Sequence, residues 1–386
     1  MPRGGKGERT GKPMCFPQLL LRSVRQEPCG TPRHGAGLQI GMRVGGRCIR
    51  GLQCALTQQT GVRAAIVGCG LIGRKRAASL PPGSVAVCCD LAGGRAEQLA
   101  AVTPGAEVST DWRATVGRRD IDAVFIATTH DQLAVVAAEA AAAGKHVLME
   151  KPGACRAAQL DVVAEAAQRT GALVRIGFNH RYHRAIRKAR EIFESGALGE
   201  MMFIRGRYGH GGRLGYDREW RAEPQLSGGG ELIDQGAHLI DLSRWFLGDF
   251  ARVRGTARTY FWDMPVEDNG FLLLETERGQ VAFLHASWTE WKNLFSFEIA
   301  GRVGKLEISG LGGSYGVERL TWYKMSPDMG PPETLAWEYP MADDSWHAEN
   351  AAFLEDIRLG RQPDPGIADA QAMLRIVEAV YSETKA

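Results

Sequence analysis

From residue 61 to about residue 177 the chain alternates short apolar runs with longer segments whose apolar positions recur at helical spacing. The runs at 64–67, 85–89, 123–127, 146–149 and 173–176 are nearly unbroken, as strands covered on both faces are. Between them, 74–80, 132–143 and 157–170 read as helices, the last stopped by Gly171. This alternation predicts a doubly wound parallel sheet with right-handed crossovers. A helix over 183–195 leads out of it. Beyond that point the segments 201–208, 253–262, 271–276, 280–289, 294–300 and 305–309 read as strands. Turn signals such as Glu277-Arg278-Gly279 and Gly301-Arg302-Val303-Gly304 join consecutive runs. A large, mostly antiparallel open sheet is expected there, with one helix near 231–247. Two final helices, 346–359 and 367–384, are divided by Gly360 and Pro363-Asp364-Pro365. The predicted class is therefore α/β: a parallel-sheet domain at 61–180, an α+β domain at 181–345, and helices at 346–386 that pack back on the body.

The first apolar run ends in Gly68-Cys69-Gly70-Leu71-Ile72-Gly73 and a helix opens straight after it. That is the context in which a glycine string reads as a dinucleotide site of the Rossmann type. Gly68 permits the tight turn, Gly70 lets the backbone approach a pyrophosphate, and Gly73 allows close helix–strand packing. Leu71 and Ile72 complete the phosphate turn at the positive end of the helix. Asp90 closes the second run, twenty residues beyond Gly70, where an acid accepts hydrogen bonds from ribose hydroxyls and repels a 2′-phosphate. NAD is thus expected over NADP.

Charge is unevenly placed along the 386 residues. Residues 1–60 hold ten basic and two acidic side chains, leaving 37 basic and 42 acidic in the rest. The overall +3 is therefore no sign of a nucleic-acid-binding body. The first sixty residues show no sustained period and are expected to be a disordered extension or one assigned from an upstream start codon. The eight cysteines lack metal-ligand spacing, and no metal site is expected. No apolar stretch approaches membrane-spanning length, so the expected setting is the cytoplasm.

Lys151 follows the run at 146–149, whose C-terminal end should face the cofactor crevice, and Pro152 restrains the backbone there. On a helix, Asp234, His238 and Asp241 share one stripe, Trp245 falls in line with it, and apolar residues cover most of the remainder. A stripe facing a cavity suits that arrangement better than one facing solvent.

In this order, Gly-x-Gly-x-x-Gly, Glu150-Lys151-Pro152 and Asp234-x-x-x-His238 resemble the glucose–fructose oxidoreductase / inositol dehydrogenase / rhizopine-catabolism (Gfo/Idh/MocA) family over roughly residues 61–386. The resemblance implies Lys151 and His238 as the catalytic pair with Asp234 beside them. As a secondary alcohol is oxidised and hydride leaves for the nicotinamide, His238 can take the hydroxyl proton. Lys151 can then stabilise the charge developing on oxygen, and Asp234 can orient the substrate or tune His238. It also implies a homodimer or homotetramer built through the C-terminal sheet. Family members often carry Pro-Asn after the fourth strand, where this chain has Ala127-Thr128-Thr129-His130. Thr128, Thr129, Glu150, Lys151 and Asn179 are the further expected cofactor neighbours. His130 is either a substrate-side group or a loop residue.

For the substrate, Arg181, His210, Arg213, Trp220, Asp234, His238 and Trp291 are the candidate contacts. Aromatic faces stack on sugar rings, and an arginine meets a carboxylate or phosphate. The expected substrate is a sugar, cyclitol or sugar derivative whose secondary alcohol and ketone are interconverted with NAD. Two other readings stand beside it: a glycosidase that uses NAD transiently, and a non-catalytic dinucleotide-binding regulator.

Overall fold

The computed structural model describes residues 61–328 and 330–385; the expectation for residues 1–60 lies outside these. The first sheet comprises β1 (Ala64–Val67), β2 (Val85–Cys89), β3 (Glu107–Ser109), β4 (Ala123–Ile126), β5 (His146–Glu150) and β6 (Val174–Gly177). Its order is β3-β2-β1-β4-β5-β6 and every pairing is parallel. The order reverses beside β1, which opens a ligand crevice at the carboxyl ends of the strands. Helices α1 (Leu71–Ala78), α2 (Gly93–Ala100), α3 (Trp112–Val116), α4 (His130–Ala142) and α5 (Asp161–Thr170) make the crossovers. β1, β2 and β4 are buried along their whole length, which is why their sequences run apolar without alternation.

After α6 (Arg184–Glu194) comes β7 (Met201–Gly209), followed by α7 (Pro224–Ser227), α8 (Glu231–Asp234) and α9 (Gly236–Leu247). The second sheet adds β8 (Arg252–Arg258), β9 (Asn269–Glu275), β10 (Val281–Ser287), β11 (Leu294–Gly301), β12 (Gly304–Ser309), β13 (Glu318–Lys324) and β14 (Glu333–Tyr339). Its order is β14-β13-β12-β11-β7-β10-β9-β8, and only β7 and β10 run parallel. On β9 and β10, Leu272, Leu274, Ala282 and Leu284 are buried while Leu273 and Phe283 between them are exposed. One face therefore joins the core, and each leucine buried there contributes about 1.5–3 kcal/mol.

The chain ends in α10 (Ser345–Leu359) and α11 (Ile367–Lys385). α10 packs on α1, while α11 lies along β8 and also reaches α9 and β6. The C-terminal helices thus tie the two sheets together.

Three expectations change. The predicted strand at 253–262 stops at Arg258, because the Asp268 carboxylate collects the N–H groups of Tyr260, Phe261 and Trp262 at 2.8–3.0 Å and turns the chain. β13 and β14 extend the sheet past β12; no residue of β14 is fully buried, so it lacks the apolar face that marks a strand. The helix near 231–247 is two helices, broken at Gln235, where His238 N–H bonds back only three residues to the Gln235 carbonyl.

Candidate active site

The glycine loop carries β1 into α1. A side chain at Gly73 would put its Cβ 1.9 Å from the Gly68 carbonyl oxygen, so only glycine lets the helix start this close. Gly70, the N-cap, has open space on its side, and no side chain caps the helix. The first-turn N–H groups are left for a phosphate, so the loop fits a dinucleotide. Asp90 closes β2 beside it, accepting from Cys69 N–H at 2.8 Å and from Ala92 N–H at 2.9 Å. Leu71 is exposed and Ile72 half-buried at the mouth. Thr128 and Thr129 follow β4; the Thr129 hydroxyl donates to Asp131 at 2.6 Å.

Two expected cofactor contacts turn inward. Glu150 accepts from Arg76 Nε at 2.8 Å, and Arg76 also reaches Glu349 at 2.6 Å and Asn350 at 2.9 Å, all buried. That cluster ties α1, β5 and α10. Asn179, buried after β6, donates to the Ser345 hydroxyl at 2.9 Å.

Lys151 does the opposite of its neighbour Glu150. Its Nζ donates to the Asp234 backbone carbonyl at 2.8 Å and to the Asp234 carboxylate. The second carboxylate oxygen accepts from Arg221 Nε at 2.9 Å. Burial pushes the Asp234 carboxyl up, but Lys151, then Arg221 and His130, outweigh it and hold the group well below the usual carboxylate range. One turn on, His238 is buried, and its Nδ1 has no hydrogen-bond partner. Its ring stacks on His180 with centroids 3.6 Å apart. Burial, then the Lys151 charge, holds His238 well below its usual range against the pull of Asp234. The imidazole is therefore uncharged at neutral pH.

The segment that aims these residues is gripped from a distance. Glu267 accepts from Gly230 N–H at 3.0 Å, Leu232 N–H at 3.1 Å and the Tyr381 hydroxyl of α11 at 2.7 Å. A Cβ at Gly230 would stand 1.9 Å from the Glu267 carbonyl oxygen. This grip fixes α8 and sets the break before α9.

Around the cluster stand further candidates. His130, at the start of α4, donates from Nδ1 to the Ser227 carbonyl at 2.8 Å and meets the edge of Trp220. Burial lowers its pKa to about 4. His210 accepts from Gly212 N–H at 2.9 Å, and burial lowers it too, with Asp234 pulling the other way. Arg213 pairs with Glu219 at 2.6 Å and is two-thirds exposed. Trp291 is exposed against Phe261.

Arg181 is not brought to this group. Its guanidinium is held by Asp241 at 2.6 and 2.8 Å, Asp364 at 2.6 Å and Asp369 at 3.1 Å. Asp241 and Trp245 consequently face Arg181, so the stripe read on one helix divides at its second half. Three residues enter that the sequence did not single out: Arg221, His180 and Glu231. Arg221 adjoins Trp220 and His180 lies between Asn179 and Arg181, but neither spacing carries a motif. Among the described residues no group of three or more His, Cys, Asp or Glu is placed to hold a metal. Among them, too, no helix is long and apolar enough to cross a membrane.

Residues 62–178 match the sequence model described as oxidoreductase family, NAD-binding Rossmann fold, and residues 186–307 match the GFO/IDH/MocA C-terminal domain. The chain belongs to the Gfo/Idh/MocA oxidoreductase family and carries its NAD-binding domain. It is similar to levoglucosan dehydrogenase of Pseudarthrobacter phenanthrenivorans, 33% identical over 178 residues, which is 45% of this chain and 46% of that one. It is likewise similar to inositol 2-dehydrogenase 2 of Saccharopolyspora erythraea, 31% identical over 55% of this chain and 63% of that one. The chain thus spans about half to two thirds of the length of these curated relatives. A solved levoglucosan dehydrogenase in complex with NADH shares the fold with a TM-score of 0.74, at 22% identity over 84% of this chain and 97% of that one.

Proposed function

We propose that the protein is an NAD-dependent oxidoreductase that interconverts a secondary alcohol and a ketone on a sugar, cyclitol or sugar derivative. The observation that carries this reading is the Lys151 ammonium, held by Asp234 at the carboxyl end of β5 in the NAD-binding sheet. The named activities of the relatives, on levoglucosan and inositol, support the substrate class.

Gly68, Gly70, Leu71, Ile72 and Gly73 would hold the pyrophosphate, and Asp90 the adenosine ribose. When bound, NAD supplies the two-electron redox chemistry. Lys151 Nζ donates a hydrogen bond to the substrate oxygen and stabilises its negative charge as the hydroxyl proton leaves. Asp234, anionic between Lys151 and Arg221, holds the Lys151 side chain in place through its carboxylate and its backbone carbonyl. His238, uncharged, offers a free imidazole nitrogen to the proton. Burial of Asp234 and His238 strengthens these interactions by limiting water around them, while Lys151 stays partly exposed.

The test is NADH formation by the purified full chain across sugars, sugar acids and inositols. Stoichiometric NADH with a ketone product is the expected result. Hydrolysis of a glycoside without net NADH would replace it with transient oxidation, and NAD binding without any turnover would replace it with a regulator. We also propose a homodimer or homotetramer through the exposed sheet face. Leu273 and Phe283 pair in register there, about half exposed each. Light scattering on Leu273→Glu, expected to be monomeric, checks this.

A further inference from the structure

Glu231 lies three residues before Asp234 on α8, one turn away along the same face. It is 0% exposed, and neither carboxyl oxygen has a hydrogen-bond partner. The neighbouring acids are matched. Asp234 has Lys151 and Arg221, and Glu267 has Tyr381 and two backbone N–H groups. Lys151 and Arg221, the cations that favour a charge on Glu231, are thus already engaged, while Asp234 and Glu267 oppose a further negative charge. An unpaired buried carboxylate neutralises itself rather than stay charged. Burial, then Asp234, accordingly pushes Glu231 well above the usual carboxylate range.

A neutral carboxyl presents one O–H donor and a carbonyl acceptor, and here both are unmet. The surroundings restrict what could meet them. The hydroxyl-bearing Tyr208, Tyr216 and Tyr315 are its electrostatic neighbours, so the neighbourhood is polar. Lys151, Arg221 and Tyr315 are partly exposed, which leaves solvent access on their side. Anionic Asp234 disfavours a carboxylate or phosphate on a ligand. An alcohol, which both donates and accepts, complements a neutral carboxyl. Resting on the polyol reading above, we propose that Glu231 recognises a second hydroxyl of the substrate, apart from the one held by Lys151, and so selects an uncharged polyol.

The experiment compares wild type, Glu231→Gln and Glu231→Leu as full chains with saturating NAD+ as the hydride acceptor. The substrates are the best polyol of the panel and its deoxy analogues, each lacking one hydroxyl. Glu231→Leu should lose about 10- to 100-fold in kcat/KM on the parent polyol. For one deoxy analogue, already slow with wild type, Glu231→Leu should add no further loss. Glu231→Gln keeps a donor and an acceptor and should stay within about threefold. NADH affinity should be unchanged throughout. Equal losses on every analogue, or no loss at all, would overturn the assignment. So would an infrared spectrum in which Glu231→Gln removes no protonated-acid carbonyl band. A wild type that turns over no polyol would instead defeat the functional reading itself, which separates the two failures.

Discussion

Two charged clusters sit at opposite ends of the α8–α9 break, and they differ in what they leave unfinished. Arg181 answers Asp241, Asp364 and Asp369, and Trp245 covers its guanidinium with the ring centroid 5.3 Å away. It fastens α9 to the C-terminal segment. At the other end Lys151, Arg221 and Asp234 also pair, yet His238 Nδ1, His180 Nε2 and both Glu231 oxygens are buried without partners. Unmet buried polar atoms are rare in native proteins because each costs about 1–3 kcal/mol. Neither buried charge nor unmet atoms alone mark a site, since the Arg76–Glu150–Glu349 cluster has both; what sets the Lys151 cluster apart is that they coincide just beyond the carboxyl end of β5.

The largest effect expected from breaking this contrast falls on the unfinished cluster. Lys151→Met should lower kcat/KM by about 10³-fold, because the substrate oxygen loses its charged donor. NADH affinity and thermal stability should change little. A loss of stability with retained activity would exchange the roles of the two clusters.

Arg181→Leu should do the reverse. It strands Asp241 as an uncompensated buried charge, and breaking such a pair costs about 3–5 kcal/mol. Urea unfolding should show that loss, while kcat of the folded fraction stays near wild type. An activity defect larger than the stability defect would bring Arg181 back among the substrate contacts.

A third difference is in pH. His130, His180 and His238 all bind protons more weakly in the fold than the ordinary imidazole value of 6.5, mainly through burial. Below about pH 6.5 the unfolded chain therefore takes up protons that the folded chain does not. Stability is full above that value and falls as pH drops toward about 4, where His130 titrates in the fold. Each histidine adds up to about 1.4 kcal/mol per pH unit to the slope. Melting temperatures of His130→Asn across this window should fall less steeply than those of wild type. The Arg181 guanidinium contributes nothing to the slope, since it stays charged.

The parallel sheet was legible because each strand is buried on both faces and its apolar run needs no partner to be recognised. The glycine loop was legible because turn, phosphate approach and helix packing each demand glycine at a fixed offset. Lys151, Asp234 and His238 could be picked out from motif spacing and family resemblance and were expected side by side; the structure pairs Lys151 with Asp234, whereas His238 stacks on His180. What escaped depended on residues distant in sequence. Gln235 breaks a helix whose apolar pattern runs on through the break, because Glu267, more than thirty residues later, grips Gly230 and Leu232. Arg221 lies in a stretch of short turns with no period, and only the Asp234 carboxylate gives it meaning. Arg181 misled because it adjoins Asn179 and His180; the short helical turn at Asn179–Tyr182 sends successive side chains different ways.

The smallest effect should come from Arg213, the one arginine among the expected substrate contacts that points to solvent. Its pair with Glu219 is two-thirds exposed on the arginine side, and such pairs contribute about 0–1 kcal/mol. Arg213→Ala should leave the melting temperature within a degree or two, and kcat/KM on an uncharged polyol within about threefold. On a sugar acid the outcome separates two kinds of pocket. If Arg213 meets a carboxylate, the variant loses about tenfold in KM on the acid alone, as expected for a charge-assisted hydrogen bond. If Asp234 keeps anions out, sugar acids are poor substrates for wild type and variant alike. The second outcome is the expected one, because anionic Asp234 sits directly on Lys151, whereas Arg213 is exposed and already paired with Glu219.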